Sequence, residues 1–591
     1  MAERAQWGSR LGFILAAAGS AVGLGNIWRF PYTTGENGGG AFVLIYLACV
    51  ALIGVPIMMS EIMIGRAAQK QPVAAFHALQ GRKTAWAGVG WLGVVAGFII
   101  LSYYIVVAGW AMDYTLKSIV NSSGSIADSA RVESLAYSAT TPLDDMRRTL
   151  IDHEAGRTRA ALEKTIWMDV RPSSRTGYDD FRAALARAGA DDAAAREKLL
   201  MDPVLRRQVE EAEVIQDRLR QAAEEAQAQA EADVAARSDA QVKRDAQDKV
   251  RRDRIREGVT SAFLAVAGDG WTSTFWTALF MLLTIAIVAG GISGGIEKAC
   301  LYLMPALFAL IIVLVIYGMF TPGFGRAVEF VIVPDLHEMR PSSFLEAMGQ
   351  SFFSLSLGMG AMITYGSYQR AKTGLAGQSV TIAGLDTAVA ILACFMIFPI
   401  VFSFGQETAA GPGLVFMAMP LAFAEIGAGG MLLGAMFFGL LVFAALTSSI
   451  SLLEVVASYF IDEQGWSRRK ATWVLGGIIF LLAVPSAFAL DPDFVMSGWL
   501  GSYGANFDFL TTMDYLASNW MLPAGGFFIA IYAGWVMPGR MREAELEGLA
   551  PGLVIGWLLL ARFVAPAAVV IVLLQKIGVL NVDDLLFGLL H

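Results

Sequence analysis

The chain has 591 residues, is 56% hydrophobic and has a mean hydropathy of +0.55, which is the composition of an integral membrane protein rather than a water-soluble domain. A formal net charge of −8 gives no basis for a nucleic-acid partner. Three cysteines in apolar runs and four scattered histidines supply neither a disulfide framework nor a metal-ligand spacing, and with no nucleotide loop or catalytic triad the chain does not read as an enzyme.

Residues 9–33 begin as an apolar stretch, and Gly19 to Gly40 then reads GSAVGLGNIWRFPYTTGENGGG. Glycine weakens a helix, and Asn26 brings an amide that lipid cannot satisfy. A membrane helix with this content is expected to be interrupted. No small-residue cleavage site follows a short apolar core, so the segment does not read as a cleavable signal.

Ten further apolar segments are long enough to cross a hydrocarbon core of about 30 Å. They lie near 41–65, 88–117, 272–289, 298–319, 344–369, 379–404, 429–461, 471–489, 507–537 and 551–575. With the N-terminus cytoplasmic, the inside loops hold 14 Lys and Arg and the short outside loops hold 4. Positive residues favour the inside. The expected protein is therefore a multi-pass inner or plasma membrane protein, N-terminus cytoplasmic, C-terminus extracytoplasmic.

Three regions follow: 1–120 with spans one to three, 121–260, and 261–591 with spans four to eleven. The middle region holds 27 of the 52 acids and 24 of the 44 bases. Its helix-forming composition and patchy heptad positions (Leu200, Val204, Val214, Leu219) predict a charged helical hairpin outside the membrane. Its protein partner is not identified by the sequence.

Gln350 to Tyr368, QSFFSLSLGMGAMITYGSY, repeats the first oddity. Gly358 and Gly360 fall at mid-depth, just after Ser354 and Ser356. Spans one and six are five spans apart, so the two breaks occupy corresponding places in two halves. Paired breaks of this kind point to an inverted-repeat transporter with its site at the bilayer midplane. Unwound carbonyls there can hold a desolvated sodium ion, and half-helix N-termini can hold a carboxylate.

Five stretches together, RLGFILAAAGSAVGLGNIWRFPY with ENGGGAF, GISGGIEKACLYLMP, GQSFFSLSLGMGAMITYGSY, AGPGLVFMAMPLAF and FAALTSSISLLE, resemble the neurotransmitter:sodium symporter family. The resemblance covers nearly all of the chain outside 121–260. It implies an all-α membrane protein with a LeuT-type 5+5 inverted repeat, broken helices one and six, eleven transmembrane helices, and a helical extracytoplasmic insertion. It implies a first sodium held by Ala21, Asn26, Ser354 and Asp386. A second sodium would be held by the carbonyls of Gly19, Val22 and Ala444 with the hydroxyls of Thr447 and Ser448. Asp386 stands where relatives often have asparagine, and its charge leads to an expectation that chloride is not required. An acid that other bacterial relatives use one turn further along is replaced by Ala390.

The same resemblance implies an amino-acid substrate. Monoamine-carrying relatives have an aspartate at the Gly23 position, and glycine leaves room for the substrate's own carboxylate beside Leu24, Gly25 and the Tyr104 hydroxyl. Ala21, Ser354 and Ser356 complete the polar end. Ile100, Phe353, Met359, Ser448 and Leu452 would line an apolar side-chain pocket, which disfavours charged substrates. The expectation is a sodium-coupled symporter importing a neutral, large hydrophobic or aromatic amino acid by alternating access. The alternative is a sodium-dependent amino-acid sensor signalling through the external insertion. The outer gate would pair Arg29 with Asp514, with Gln350 bonding Arg29 in one state. The inner gate would pair Arg4 with Asp462 near Trp7, Ser367 and Tyr368.

Overall fold

The computed structural model describes residues 6–120, 122–168, 203–334, 342–369, 374–404, 414–426, 428–494, 508–576 and 579. Among them the regular structure is helical, apart from one isolated bridge between Gly39 and Pro334. Nine continuous helices are long and apolar enough to cross a membrane. They are span 2 (Gly40–Ala68), span 3 (Ala87–Ile119), span 4 (Gly270–Ala289), span 5 (Ile292–Met319), span 7 (Leu375–Ser403), span 8 (Gly429–Gln464), span 9 (Arg468–Ala487), span 10 (Phe509–Val536) and span 11 (Pro551–Gln575).

Two further apolar segments, the first and the sixth, are broken. Span 1 is a pair of helices, Arg10–Ala21 and Gly25–Glu36, bent by 51°. Span 6 consists of Ser342–Ser354 and Ala361–Gly366. Between them, Ser356, Gly358 and Gly360 have φ of 53°, 82° and 75°. A right-handed helix cannot pass through three left-handed residues so close together. Gly358 has no alternative, because a Cβ there would lie 2.2 Å from the Leu522 carbonyl oxygen. Its freed amide donates to Glu61 Oε1 at 2.7 Å, so a buried carboxylate on span 2 satisfies the break.

The chain divides into two compact units. One comprises Met1–Gly124, Gly258–Met339 and Ser343–Leu580 and contains every span. Spans 3 and 8 pack along each other at its centre. Ile100, Tyr104, Ala108 and Trp110 are buried on span 3, as are Ala444, Thr447 and Leu452 on span 8.

The other unit is built on Ser125–Glu257. It is richer than a hairpin, for helices Ser122–Thr140, Leu143–Met168, Pro203–Ala235 and Asp239–Ala267 contribute to it. Met146, Leu150, Val234, Val242 and Ala246 form its small core, with Tyr137 packed against them. Of the expected heptad positions, Val214 is exposed and Leu219 half-buried, and the buried stripe is Ile215, Ala222, Ala226, Ala230 and Val234. Leu200 and the Val204 side chain lie outside the described residues. Alanines at i, i+4 and i+8 let helices approach closely, a seam that a search for large apolar side chains passes over.

Candidate functional site

The breaks of spans 1 and 6 meet spans 3 and 8 around a cavity of about 30 Å³. Span 1 contributes Ser20, Ala21, Gly23 and Gly25 to its wall, and span 3 contributes Ile100 and Tyr104. Span 6 adds Phe353, Ser354, Ser356 and Met359, and span 8 adds Ser448 and Leu452. Among the described residues no charged side chain lines it. The volume suits two or three water molecules, so an amino acid enters only if the walls move apart. Phe353 is the wall residue with most freedom, being half-buried where the others are buried.

Gly23 sits in the tightest place. A Cβ there would lie 2.6 Å from Ser448 Oγ and 2.8 Å from Tyr104 Oη. Gly25 is similarly constrained by the Phe353 ring at 2.7 Å. Leu24 is not part of the wall; its amide donates to Tyr104 Oη at 3.1 Å. Ser20, which the sequence reading passed over, bonds through its carbonyl to the Ser356 hydroxyl at 2.8 Å and so ties the two breaks together. The only signal for it was its position inside the glycine-rich run.

Beside the cavity, Asn26, Ser354 and Asp386 form one buried polar cluster. Asn26 Nδ2 donates to Asp386 Oδ1 at 2.7 Å and to Ser354 Oγ at 2.9 Å. Ser354 Oγ donates to Asp386 Oδ2 at 2.7 Å. Tyr46 on span 2, a second omission, reaches Ser354 at 3.2 Å and Asp386 at 3.3 Å. A lone tyrosine in an apolar run was the available signal. Asp386 is 0% exposed and has no ion-pair partner among the described residues. A carboxylate that stays ionised when buried needs a compensating positive charge. Hard oxygens from Asp386, Ser354 and Asn26 are the donor set a small cation takes. Asn26 Oδ1 accepts from the Gly23 amide at 3.0 Å, which leaves its second lone pair for a cation.

A second set of oxygens gathers at Ser448. Its hydroxyl lies 3.3 Å from the Gly19 carbonyl, 3.3 Å from that of Ser20 and 3.4 Å from that of Val22. One hydrogen cannot serve three acceptors well, and all three contacts are long. The neighbouring Thr447 hydroxyl donates to the Ala444 carbonyl at 3.0 Å. The Gly19, Ser20 and Val22 carbonyls come from the C-terminal end of the Arg10–Ala21 helix, where the backbone dipole is negative. A cation is the natural partner for such a concentration of carbonyls.

At one end of the cavity, Arg29 stands over the Phe353 ring at 4.9 Å. Arg29 and Asp514 form no direct ion pair: Arg29 contacts Ser518 at 3.4 Å, and Ser518 donates to Asp514 at 2.9 Å. Tyr103 also donates to Asp514, at 2.9 Å. Gln350 bonds the Gly25 carbonyl at 3.1 Å and not Arg29. At the other end, Trp7 donates from its indole to the Tyr365 carbonyl at 3.0 Å, and its ring packs edge-on against Tyr365 and Tyr368. Tyr368 donates to the buried Glu454 at 2.6 Å, and Arg468 holds the same carboxylate at 2.6 Å. The Ser367 hydroxyl donates to the Thr364 carbonyl at 2.6 Å. Asp462 is partly exposed near the end of span 8, and Arg4 lies outside the described residues. Glu297 was not foreseen: it accepts from the Gly8 amide at 2.7 Å and the Ser9 hydroxyl at 2.9 Å, fastening the start of span 1 to span 5.

The family model described as the sodium:neurotransmitter symporter family matches residues 4–125 and 265–582, leaving out the segment between spans 3 and 4. The chain belongs to this family. The symporter is 28% identical over 586 residues to an uncharacterized sodium-dependent transporter of Bacillus subtilis, with 98% of each chain covered. It is 24% identical to the sodium- and chloride-dependent taurine transporter of Bos taurus, over 71% of this chain and 54% of that protein. Among solved structures, it resembles the crystal structure of MhsT in complex with L-phenylalanine: 35% identity, TM-score 0.69, 97% of this chain and 100% of that one. The symporter is thus a sodium-dependent, multi-pass membrane transporter and not an enzyme.

Proposed function

We propose that this symporter uses the sodium gradient to import a neutral amino acid with a large apolar side chain. The observation that carries the reading is the wall around Gly23. There, glycine brings bare backbone against the Ser448 and Tyr104 hydroxyls, and no acid stands in the cavity wall to meet an amine. The substrate carboxylate lies at Gly23 and Gly25, takes a hydrogen bond from Tyr104, and completes the first sodium site with Ala21, Asn26, Ser354 and Asp386. The second sodium takes Gly19, Val22, Ala444, Thr447 and Ser448. Ile100, Phe353, Met359 and Leu452 receive the side chain, and the absence of charge among them rejects acidic and basic amino acids. L-Phenylalanine bound in MhsT, 35% identical, is of this class.

Coupling follows from the shared carboxylate: sodium and substrate each complete the other's site, so each raises the other's affinity by the same factor. Asp386 supplies the negative charge beside the first sodium, and transport needs no chloride. Access alternates between the Arg29, Ser518 and Asp514 end and the Trp7 and Tyr368 end, the N-terminus being cytoplasmic and residues 121–260 extracytoplasmic. The deciding experiment is uptake of a panel of labelled amino acids into vesicles holding the purified protein, with sodium or potassium outside. Sodium-driven accumulation of Leu, Met, Phe, Tyr or Trp supports the reading. Sodium-dependent binding without accumulation would make the chain a sensor, and uptake of amines alone would overturn the substrate.

A further inference from the structure

Two arginines meet at the C-terminal end of span 10. Arg562, on span 11, donates from Nε to the Gly534 carbonyl at 2.7 Å. Arg542, on the short helix Gly539–Glu545, reaches the same carbonyl at 3.0 Å and that of Ala533 at 3.4 Å. Among the described residues, neither guanidinium has a carboxylate within 4.0 Å. Glu545 is engaged with Arg66, and Glu543 is exposed. Their neighbour Arg540 is exposed as well.

The carbonyls do not balance this charge. A helix end carries about half a negative charge, against two full positive ones. Arginine side chains on a membrane span are costly and normally paired, and two like charges on one oxygen repel. Burial and the Arg562 charge both lower the Arg542 pKa. Each guanidinium has five N–H donors, and the carbonyls occupy only part of them.

The surroundings are exposed and apolar, beside the end of a membrane-length helix. Gly534 lies just before the end of span 10 at Val536, and Pro538 follows. Trp535 is 55% exposed and Phe563 is 54% exposed, and their rings meet at 5.4 Å. Arg562 lies 5.0 Å over the Trp535 ring, whose indole donates to the Arg562 carbonyl. Aromatic rings of this kind mark the headgroup level, and forked guanidiniums match phosphate oxygens.

We infer that Arg542 and Arg562 bind the phosphate of an anionic phospholipid at the edge of spans 10 and 11, with Trp535 and Phe563 against its acyl chains. This is independent of the amino-acid site. The test uses the full chain in detergent, with native mass spectrometry and thermal unfolding as readouts. Phosphatidylglycerol is compared with phosphatidylcholine and with inorganic phosphate alone. Wild type should retain phosphatidylglycerol preferentially and unfold several degrees higher with it. Apparent affinity should fall by about fivefold for each guanidinium removed, in Arg542→Gln, Arg562→Gln and the double variant. Because Arg542 lies outside the spans, Arg542→Gln gives the reading even if Arg562→Gln fails to fold. Unchanged retention in Arg542→Gln and the double variant would overturn the inference. An equal shift from inorganic phosphate would overturn the lipid assignment.

Discussion

Asn26 and Asp386 are joined by a 2.7 Å hydrogen bond across 360 positions of sequence. The bond ties the interrupted part of span 1 to span 7, and Ser354 on span 6 closes the triangle. Three helices thus share one buried negative charge. Replacing Asp386 by Asn keeps the hydrogen-bonding shape and removes that charge. Sodium affinity should fall at least about tenfold, equivalent to about 1.4 kcal/mol. A sodium titration of substrate-induced thermal stabilisation reads this directly, and an unaltered midpoint would mean that sodium does not rely on the Asp386 charge.

Gly23→Ala adds one carbon where Ser448 Oγ and Tyr104 Oη leave no space. The fold should survive, because both neighbours are side-chain ends able to turn away. Substrate binding should be lost, while sodium still stabilises the protein. Isothermal titration with the best ligand of the panel checks this; full-strength binding would move the carboxylate away from Gly23.

Ser448→Ala takes away the hydroxyl shared by the carbonyls of Gly19, Ser20 and Val22. As a hard donor at the second ion site is lost, the sodium dependence of uptake should shift to concentrations about tenfold higher. Thr447→Val should act in the same direction. Uptake kinetics measured against sodium distinguish this from general damage, which would lower the maximal rate without moving the midpoint.

Glu297→Ala releases the Gly8 amide and the Ser9 hydroxyl. Each hydrogen bond to a carboxylate contributes about 1.5–3 kcal/mol. The start of span 1 should loosen toward the Trp7 end. Hydrogen exchange over residues 6–14 should then accelerate, with no change over span 3. Equal protection in variant and wild type would show that Trp7 and Tyr368 suffice to hold this end.

Removing residues 125–255 and bridging the gap with a short linker should leave sodium-driven uptake intact. The segment has its own core around Met146 and Val242, and the family match passes over it. A deletion variant that folds, binds substrate and no longer transports would assign the insertion a part in the transport cycle.

Much of the membrane region was legible in the sequence, because bilayer physics constrains it so tightly. Of eleven apolar runs, nine are continuous membrane-length helices among the described residues and a tenth is a bent pair, and glycines at 23, 25, 358 and 360 marked the breaks, since lipid tolerates unwound backbone only around a lined cavity. The cavity wall was also largely readable, from Gly23 to Leu452. Local pattern alone could not supply partners from distant spans. Tyr46 beneath Asp386, Ser518 between Arg29 and Asp514, and Glu297 against Ser9 are side chains whose meaning depends on who faces them. The insertion misled for a related reason: its seam is alanine, and alanine signals helix without signalling which face is buried. Composition and periodicity therefore determined the class, the spans and the place of the breaks, because those depend on chain-local hydration and helix energetics. Tertiary structure decided which oxygens converge and which charges pair, because those depend on contacts between residues hundreds of positions apart.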